Sequence, residues 1–253
     1  MKTTRVTGCV VTHNNIRSIE KTLESLLTYT RGVDFKLFVV DNSSTDGTPE
    51  LVREKFPAVE LIETGENRGF GAGHNTVLGR LDADYHAIIN PDIDIKEDVV
   101  SILAAFLDAN GDIGLASPKI CFPDGRPQIL GKRNPTLRYL AASRLRGHGE
   151  PGKILREYAM LDEDGSKPFD IENATGCFMM LRTQLFLEAG GFDEHYFMYF
   201  EDCDLTRTVR QRARAVFCPY ATVYHVWGRD SKKDPKLMLI QIKSMLYYFR
   251  KWR

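Results

Sequence analysis

The sequence predicts an α/β domain with a mostly parallel central sheet and helices on both faces, and two patterns carry that prediction. From Arg5 to Ser117, short β-branched apolar runs alternate with stretches whose apolar residues recur at helical spacing. Several of these runs end in polar loops rich in Asp, Asn and Gly, the punctuation expected at strand ends. Such alternation implies crossovers between parallel strands, which cover both faces of the sheet.

Arg5–Thr12 is the first strand, and Ile16, Ile19, Leu23, Leu26 and Leu27 then mark one stripe of a helix. Phe35–Asp41 reads as a second strand. Thr48–Phe56 reads as a short helix with Pro49 in its first turn, where a missing N–H is tolerated. Val59–Glu63 is a third strand, followed by a glycine-rich loop through Gly73 and a helix to Leu81. Tyr85–Asn90 is a fourth strand, Val99, Val100, Ile102, Leu103, Phe106 and Leu107 mark the next helix, and Ile113–Ser117 closes the series. Ligands of such sheets sit beyond the carboxyl ends of the strands, so loops 12–15, 41–47 and 90–94 are expected to converge.

From Cys121 to Phe169 the periodicity fades under prolines and glycines, and Arg126, Lys132, Arg133, Arg138, Arg144, Arg146, Lys153 and Arg156 make the segment basic. It reads either as a solvated excursion or as a mobile lid facing an acceptor. Order returns at Gly176–Leu181 (strand), Thr183–Ala189 and Asp202–Gln211 (helices) and Ala215–Pro219 (strand). At the C-terminus Met238, Ile242, Met245, Phe249 and Trp252 form an apolar helical stripe flanked by Lys232, Lys233, Lys236, Lys243, Arg250, Lys251 and Arg253. A basic amphipathic helix suits either an anionic membrane surface or packing on the core with a solvated basic edge.

Lys+Arg and Asp+Glu each total 34, and the basic segment lacks interleaved aromatics, so nucleic-acid binding has no support. Five cysteines without CxxC spacing, set among apolar neighbours, read as buried free thiols in a reducing compartment. With no membrane-length apolar run and no signal-peptide segment, the expected place is the cytoplasm or the inner face of a membrane.

Three loops carry the chemistry: Asp41-Asn42-Ser43-Ser44-Thr45-Asp46-Gly47, Asn90-Pro91-Asp92-Ile93-Asp94 and Glu201-Asp202-Cys203-Asp204. Carboxylates gathered at neighbouring strand ends repel one another unless a cation or bound donors stand between them. A hard divalent ion shared with substrate phosphates resolves that repulsion. Taken singly, Asp46 reads as a turn former, Asp94 as a helix N-cap and Glu201–Asp204 as an acidic first helical turn.

In order along the chain, six motifs together resemble the family 2 glycosyltransferases of the GT-A fold, over Val10 to Trp227. They are Val10–Asn14, Val39–Thr48, Asn67–Asn75, Asn90-Pro91-Asp92, Phe197–Leu205 and Tyr224–Gly228. The resemblance implies one catalytic domain over residues 1–230, with a nucleotide-sugar half (1–118), an acceptor and catalytic half (119–230), and the basic helix 231–253 appended. It implies donor contacts from Thr12, Asn14, Asp41, Arg68, Asn90 and Asp92, with Asp41 meeting a pyrimidine N3–H. Asp92 and His225 would hold Mg²⁺ or Mn²⁺. Asp202 would be the general base of an inverting transfer, with Glu201 beside it, and Gly176, Cys177 and Glu201 would face the acceptor. Asn90 stands where the family carries the first Asp of DxD, leaving Asp92 as the dependable carboxylate. Glu172-Asn173 likewise replaces the branch's Asp-Trp.

Asn67–Asn75 and the Glu-Asp signature most resemble the rhamnosyltransferase branch, which uses dTDP-L-rhamnose in O-antigen and envelope-glycan assembly on polyprenyl-diphosphate-linked or glycan acceptors. A UDP-sugar donor carrying galactose or N-acetylglucosamine is the alternative. A sugar-1-phosphate nucleotidyltransferase would need a basic glycine-rich loop where Thr12-His13-Asn14-Asn15 stands. A non-catalytic sugar-nucleotide binder would not need Asp202.

Overall fold

The computed structural model describes residues 3–145, 149–226 and 234–253. In chain order its strands are β1 (Arg5–Thr12), β2 (Asp34–Asp41), β3 (Glu60–Glu63), β4 (Tyr85–Ile89), β5 (Ile93–Ile95), β6 (Ile113–Cys121), β7 (Phe169–Asp170), β8 (Phe178–Arg182) and β9 (Arg214–His225). Its α-helices are α1 (Ile19–Tyr29), α2 (Thr48–Lys55), α3 (Phe70–Asn75), α4 (Val99–Ala109), α5 (Leu137–Arg144), α6 (Lys153–Ala159), α7 (Thr183–Glu188), α8 (Glu201–Val209) and α9 (Pro235–Lys251). The strands form one sheet in the order β3-β2-β1-β4-β8-β6-β9-β5, with β7 added to β9. β3-β2-β1-β4 run parallel, as do β6 and β9, while β8 lies antiparallel between β4 and β6.

Burial on both faces explains why the strands read as unbroken apolar runs. Val10, Val39, Ile89 and Met180 share one core with Leu23 and Leu26 of α1 and Leu103 and Leu107 of α4. Their neighbours Val11, Phe38, Val40, Ile88 and Met179 belong to a second core with Phe186 of α7 and Leu205 and Val209 of α8. All five cysteines are buried and unbridged.

Four expectations are corrected in detail. The helix foreseen up to Leu81 is α3 followed by a separate 3₁₀ turn at Leu78–Arg80. The segment 121–169 carries α5 and α6, whose Tyr139 and Tyr158 stack at 4.9 Å in a small core of their own. β9 runs past Pro219 to His225. The partners of Pro118 and Lys119 jump from Cys218 to Thr222, so residues 219–221 bulge out where Pro219 has no N–H for the ladder. Asp94 is not a helix cap: β5 holds it extended beside Lys21 Nζ at 2.8 Å, and Asp98 caps α4 by accepting from Ser101 N–H.

α9 packs one face on the loop that enters α8, with Met245, Phe249 and Trp252 against Tyr196, Phe200 and Cys203. Its other face exposes Leu239 and Leu246, with Ile242 at the border between the two faces. Residues 146–148 and 227–233 lie outside the described residues. So do Arg146, Trp227, Gly228, Lys232, Lys233 and the domain boundary expected at 230/231. No helix among the described residues is long and apolar enough to cross a membrane.

Candidate active site

The loops after β1 and β2 converge through hydrogen bonds between their side chains and backbones. Asn14, in the left-handed region at φ 57°, donates its N–H to Ser44 Oγ and accepts from Thr45 N–H, both at 2.8 Å. Thr12 is buried and bonds to Asn15, and Asp46 accepts from Thr48 and from Ile16 N–H. Asn14, Thr12 and Asp46 thus shape the cradle by holding one loop on the other. Asp41 differs. Its Oδ2 accepts from Ser44 N–H, whereas its buried Oδ1 has no partner. A buried acceptor left open costs about 1–3 kcal/mol unless something donates to it.

The glycine-rich loop joins these loops to the segment that enters α8. Asn42 Nδ2 donates to Gly69 O, and Phe70 N–H donates to Phe197 O just before α8. Gly69 sits at φ 88°, and a Cβ there would lie 2.1 Å from Phe197 O, so only glycine permits the approach. Arg68 does not join the cradle's hydrogen bonds; its guanidinium pairs with Glu194 and Glu66 on the surface. Asn75 ties Phe192 to α3, and buried His74, its pKa pushed well down by burial, packs on Phe70.

Beyond β4, antiparallel pairing of β5 with the end of β9 sets Ile93 opposite His225. That register brings Asp92 beside His225, with Nε2 to Oδ1 at 3.4 Å, and Asn90 Nδ2 lies 3.5 Å from the same Nε2. Asp92 Oδ1 is buried and accepts no hydrogen bond. Two acceptor-bearing ligands at this spacing, one of them orphaned, fit a divalent ion of the Mg²⁺ or Mn²⁺ type. Among the described residues no cluster of three or more His, Cys, Asp or Glu gathers to hold an ion, so substrate oxygens would have to complete the shell.

Tyr199 and Phe200 both occupy the left-handed region, at φ 69° and 68°, and this strained turn delivers Glu201 and Asp202 at the start of α8. Asp202 Oδ2 accepts from Gly176 N–H at 3.0 Å and Oδ1 from Cys203 N–H at 2.8 Å. Burial raises its pKa and these backbone donors pull it back, leaving it above the ordinary value. Glu201 is buried with Oε2 unpartnered, and burial together with the Asp202 charge lifts it well above the usual carboxyl range. Cys177 O accepts from Asn90 N–H, so the 176–177 peptide links the Asp202 side of the site to the Asn90 side.

One cleft of about 770 Å³ collects Asn90, Asp92, Gly176, Cys177, Glu201, Asp202 and His225. Its far wall is made of Tyr158 of α6, Leu140 of α5, and Met238, Ile242 and Met245 of α9. Sequence reasoning missed Tyr158 and the α5 wall because they sit where apolar periodicity is lost. The Pro-Asp-Gly turn at 123–125 was the one available signal there.

A mostly parallel sheet with a cleft beyond its strand ends, holding a His–Asp pair and a Glu-Asp step, is the arrangement of a GT-A glycosyltransferase. Residues 8–189 match the model of Glycosyl transferase family 2, and the chain belongs to that family. It is 28% identical to the N-acetylglucosaminyl-diphospho-decaprenol L-rhamnosyltransferase of Mycobacterium tuberculosis (strain ATCC 25618 / H37Rv), over 94% of this chain and 81% of that one. It is 26% identical to rhamnosyltransferase WbbL of Escherichia coli (strain K12), over 85% and 80% of the two chains. Among solved structures, S. aureus TarS 1–349 superposes with a TM-score of 0.62 at 20% identity, over 94% of this chain and 65% of that one. The mannosyltransferase PcManGT from Pyrobaculum calidifontis gives 0.65 at 22%, over 90% and 59%. The chain spans between 59% and 65% of these solved chains.

Proposed function

We propose that the protein transfers a sugar from a nucleoside diphosphate to an acceptor hydroxyl with inversion, using Asp202 as the base. The observation that carries this reading is the half-buried Asp202 carboxylate, fixed by two backbone N–H groups, in one cleft with the Asp92–His225 pair. Asp202 takes the acceptor proton as the acceptor oxygen bonds to the anomeric carbon and the bond to the diphosphate breaks. Asp92 and His225 would hold Mg²⁺ or Mn²⁺, which would neutralise the departing diphosphate. The open Asp41 Oδ1 would accept from a pyrimidine N3–H, favouring dTDP or UDP donors. Glu201, whose pKa burial and the Asp202 charge raise, would hydrogen-bond acceptor or donor oxygens in its protonated form without repelling the diphosphate.

L-rhamnose from dTDP-L-rhamnose is the preferred donor, supported by the two rhamnosyltransferase relatives. A lipid-diphosphate-linked glycan of the cell envelope is the preferred acceptor, because the mycobacterial relative's name specifies one and the apolar α9 wall borders the cleft. Exposed Leu239, Ile242 and Leu246 with Lys243 and Arg250 on α9 would rest on an anionic membrane beside that acceptor. The test is release of nucleoside diphosphate from a panel of nucleotide sugars. Release from dTDP-L-rhamnose supports the full reading, release from a UDP-sugar replaces the donor, and no release from any donor refutes catalysis.

A further inference from the structure

Gln128 lies outside every role assigned so far, yet its side chain is among the most fully committed polar groups near the cleft. It is 5% exposed and follows the turn in which Phe122 N–H donates to Arg126 O, with Cys121 bridged to Pro127. Its own N–H donates to Ile120 O, which anchors it to β6. The side-chain Nε2 donates to His225 O at 2.7 Å and to Cys121 O at 3.3 Å. Both partners are carbonyls that only accept, so the amide cannot be turned round. Oε1 is therefore the atom that faces His225 Nδ1, at 3.3 Å.

This arrangement decides which ring nitrogen carries the proton. Oε1 accepts, so Nδ1 must be the donor and the neutral ring presents a bare Nε2. That bare nitrogen faces Asp92 Oδ1, itself an acceptor with no hydrogen bond, across 3.4 Å. Two lone pairs oppose each other, with the Asn90 Nδ2 donor 3.5 Å from Nε2, across a gap that a cation would fill. Were the proton on Nε2 instead, Asp92 would accept it, and the two residues would close into a hydrogen bond that shuts the ion out.

We infer that Gln128 is a positioning residue that holds His225 in the Nδ1–H tautomer and so keeps the Asp92–His225 pair open to a divalent ion. The inference rests on the metal-dependent reading above, but the tautomer is a property of the metal-free protein. Partners of this kind typically change metal affinity by about 10–100-fold when removed.

The test begins with long-range ¹H–¹⁵N spectra of the metal-free, ¹⁵N-histidine-labelled protein at pH 8, with His225 assigned by its loss in His225→Asn. A protonated Nδ1 and bare Nε2 are expected. An Nε2–H tautomer, or a ring protonated on both nitrogens, overturns the inference. Gln128→Met, of similar volume, should move the proton to Nε2 and weaken Mn²⁺ binding about 10–100-fold by electron paramagnetic resonance titration. A folded Gln128→Met protein with native tautomer and native Mn²⁺ affinity refutes the role, and should it fail to fold, the wild-type spectrum alone decides. If the wild-type protein binds no Mn²⁺, the metal reading fails while the tautomer result still stands or falls by itself.

Discussion

Gly176 donates its backbone N–H to Asp202 Oδ2 at 3.0 Å, and the peptide it begins continues to Cys177, whose carbonyl accepts from Asn90 N–H. One short segment ahead of β8 thereby fixes both the carboxylate proposed as base and Asn90, two residues before the proposed metal ligand Asp92. Asp202→Asn keeps the shape but turns an NH₂ towards one of the two N–H donors and removes basicity. Transfer should fall by at least about 10²–10⁴-fold, with donor affinity little changed. Initial rates and nucleotide titrations of the variant check this.

The same burial sets the acid limb of the pH profile. Asp202 must be ionised to act, and its pKa is raised by burial despite its backbone donors. The acid limb of kcat/KM should therefore lie above the ordinary aspartate value, and a limb at that value would contradict the burial argument.

Glu201 tests the sign of the linkage in stability. Its folded-state pKa is raised by burial and by Asp202, so its contribution is fully present below the unfolded pKa and is lost as pH rises through the folded one. Glu201→Gln removes that loss. The variant should melt higher than wild type at pH 8 and show a smaller difference at pH 5, while transfer is impaired.

Asp204 fastens the terminal helix that walls the cleft. Its buried carboxylate receives Trp252 Nε1 at 2.7 Å, Lys251 Nζ at 2.8 Å and Tyr196 OH at 3.2 Å. Arg207, one turn further along α8, meets Tyr248 OH and lies over the Trp252 ring at 4.6 Å. Asp204→Ala should cost about 2–4 kcal/mol and expose 234–253 to proteolysis before the rest of the chain. Thermal melts and limited digestion give the readout.

The outer face of α9 should matter only at a membrane. Leu239→Ser with Leu246→Ser should leave the melting temperature within a few degrees of wild type, because both side chains are exposed. Binding to anionic vesicles should fall at least about tenfold, since each leucine contributes roughly 1.5–3 kcal/mol on full burial. Undiminished vesicle binding would leave α9 as a packing helix only.

The nucleotide half was legible because its strands are buried on both faces and its helices carry one apolar stripe each, so period and polarity agree. β5 escaped notice because three residues of Ile-Asp-Ile are too short to show a period, yet it alone sets Asp92 against His225. Gln128 escaped for a related reason: its neighbours are ordered by a turn and by backbone carbonyls, which leave no apolar pattern. Asn14 and Asp46 were legible as loop residues, but only the folded chain assigns their side chains to each other's loop.

The most direct test of the central claim is thermal stabilisation by nucleoside diphosphates and nucleotide sugars, with and without Mn²⁺, in wild type and Asp92→Ala. Ligand at about 100 times its Kd adds about 2.7 kcal/mol, which is roughly 5–10 °C for a chain of this size. A pyrimidine-selective, Mn²⁺-dependent rise of that order, lost in Asp92→Ala, is the predicted result. A rise unchanged by Mn²⁺ and by Asp92→Ala, or none with any nucleotide, would contradict the account.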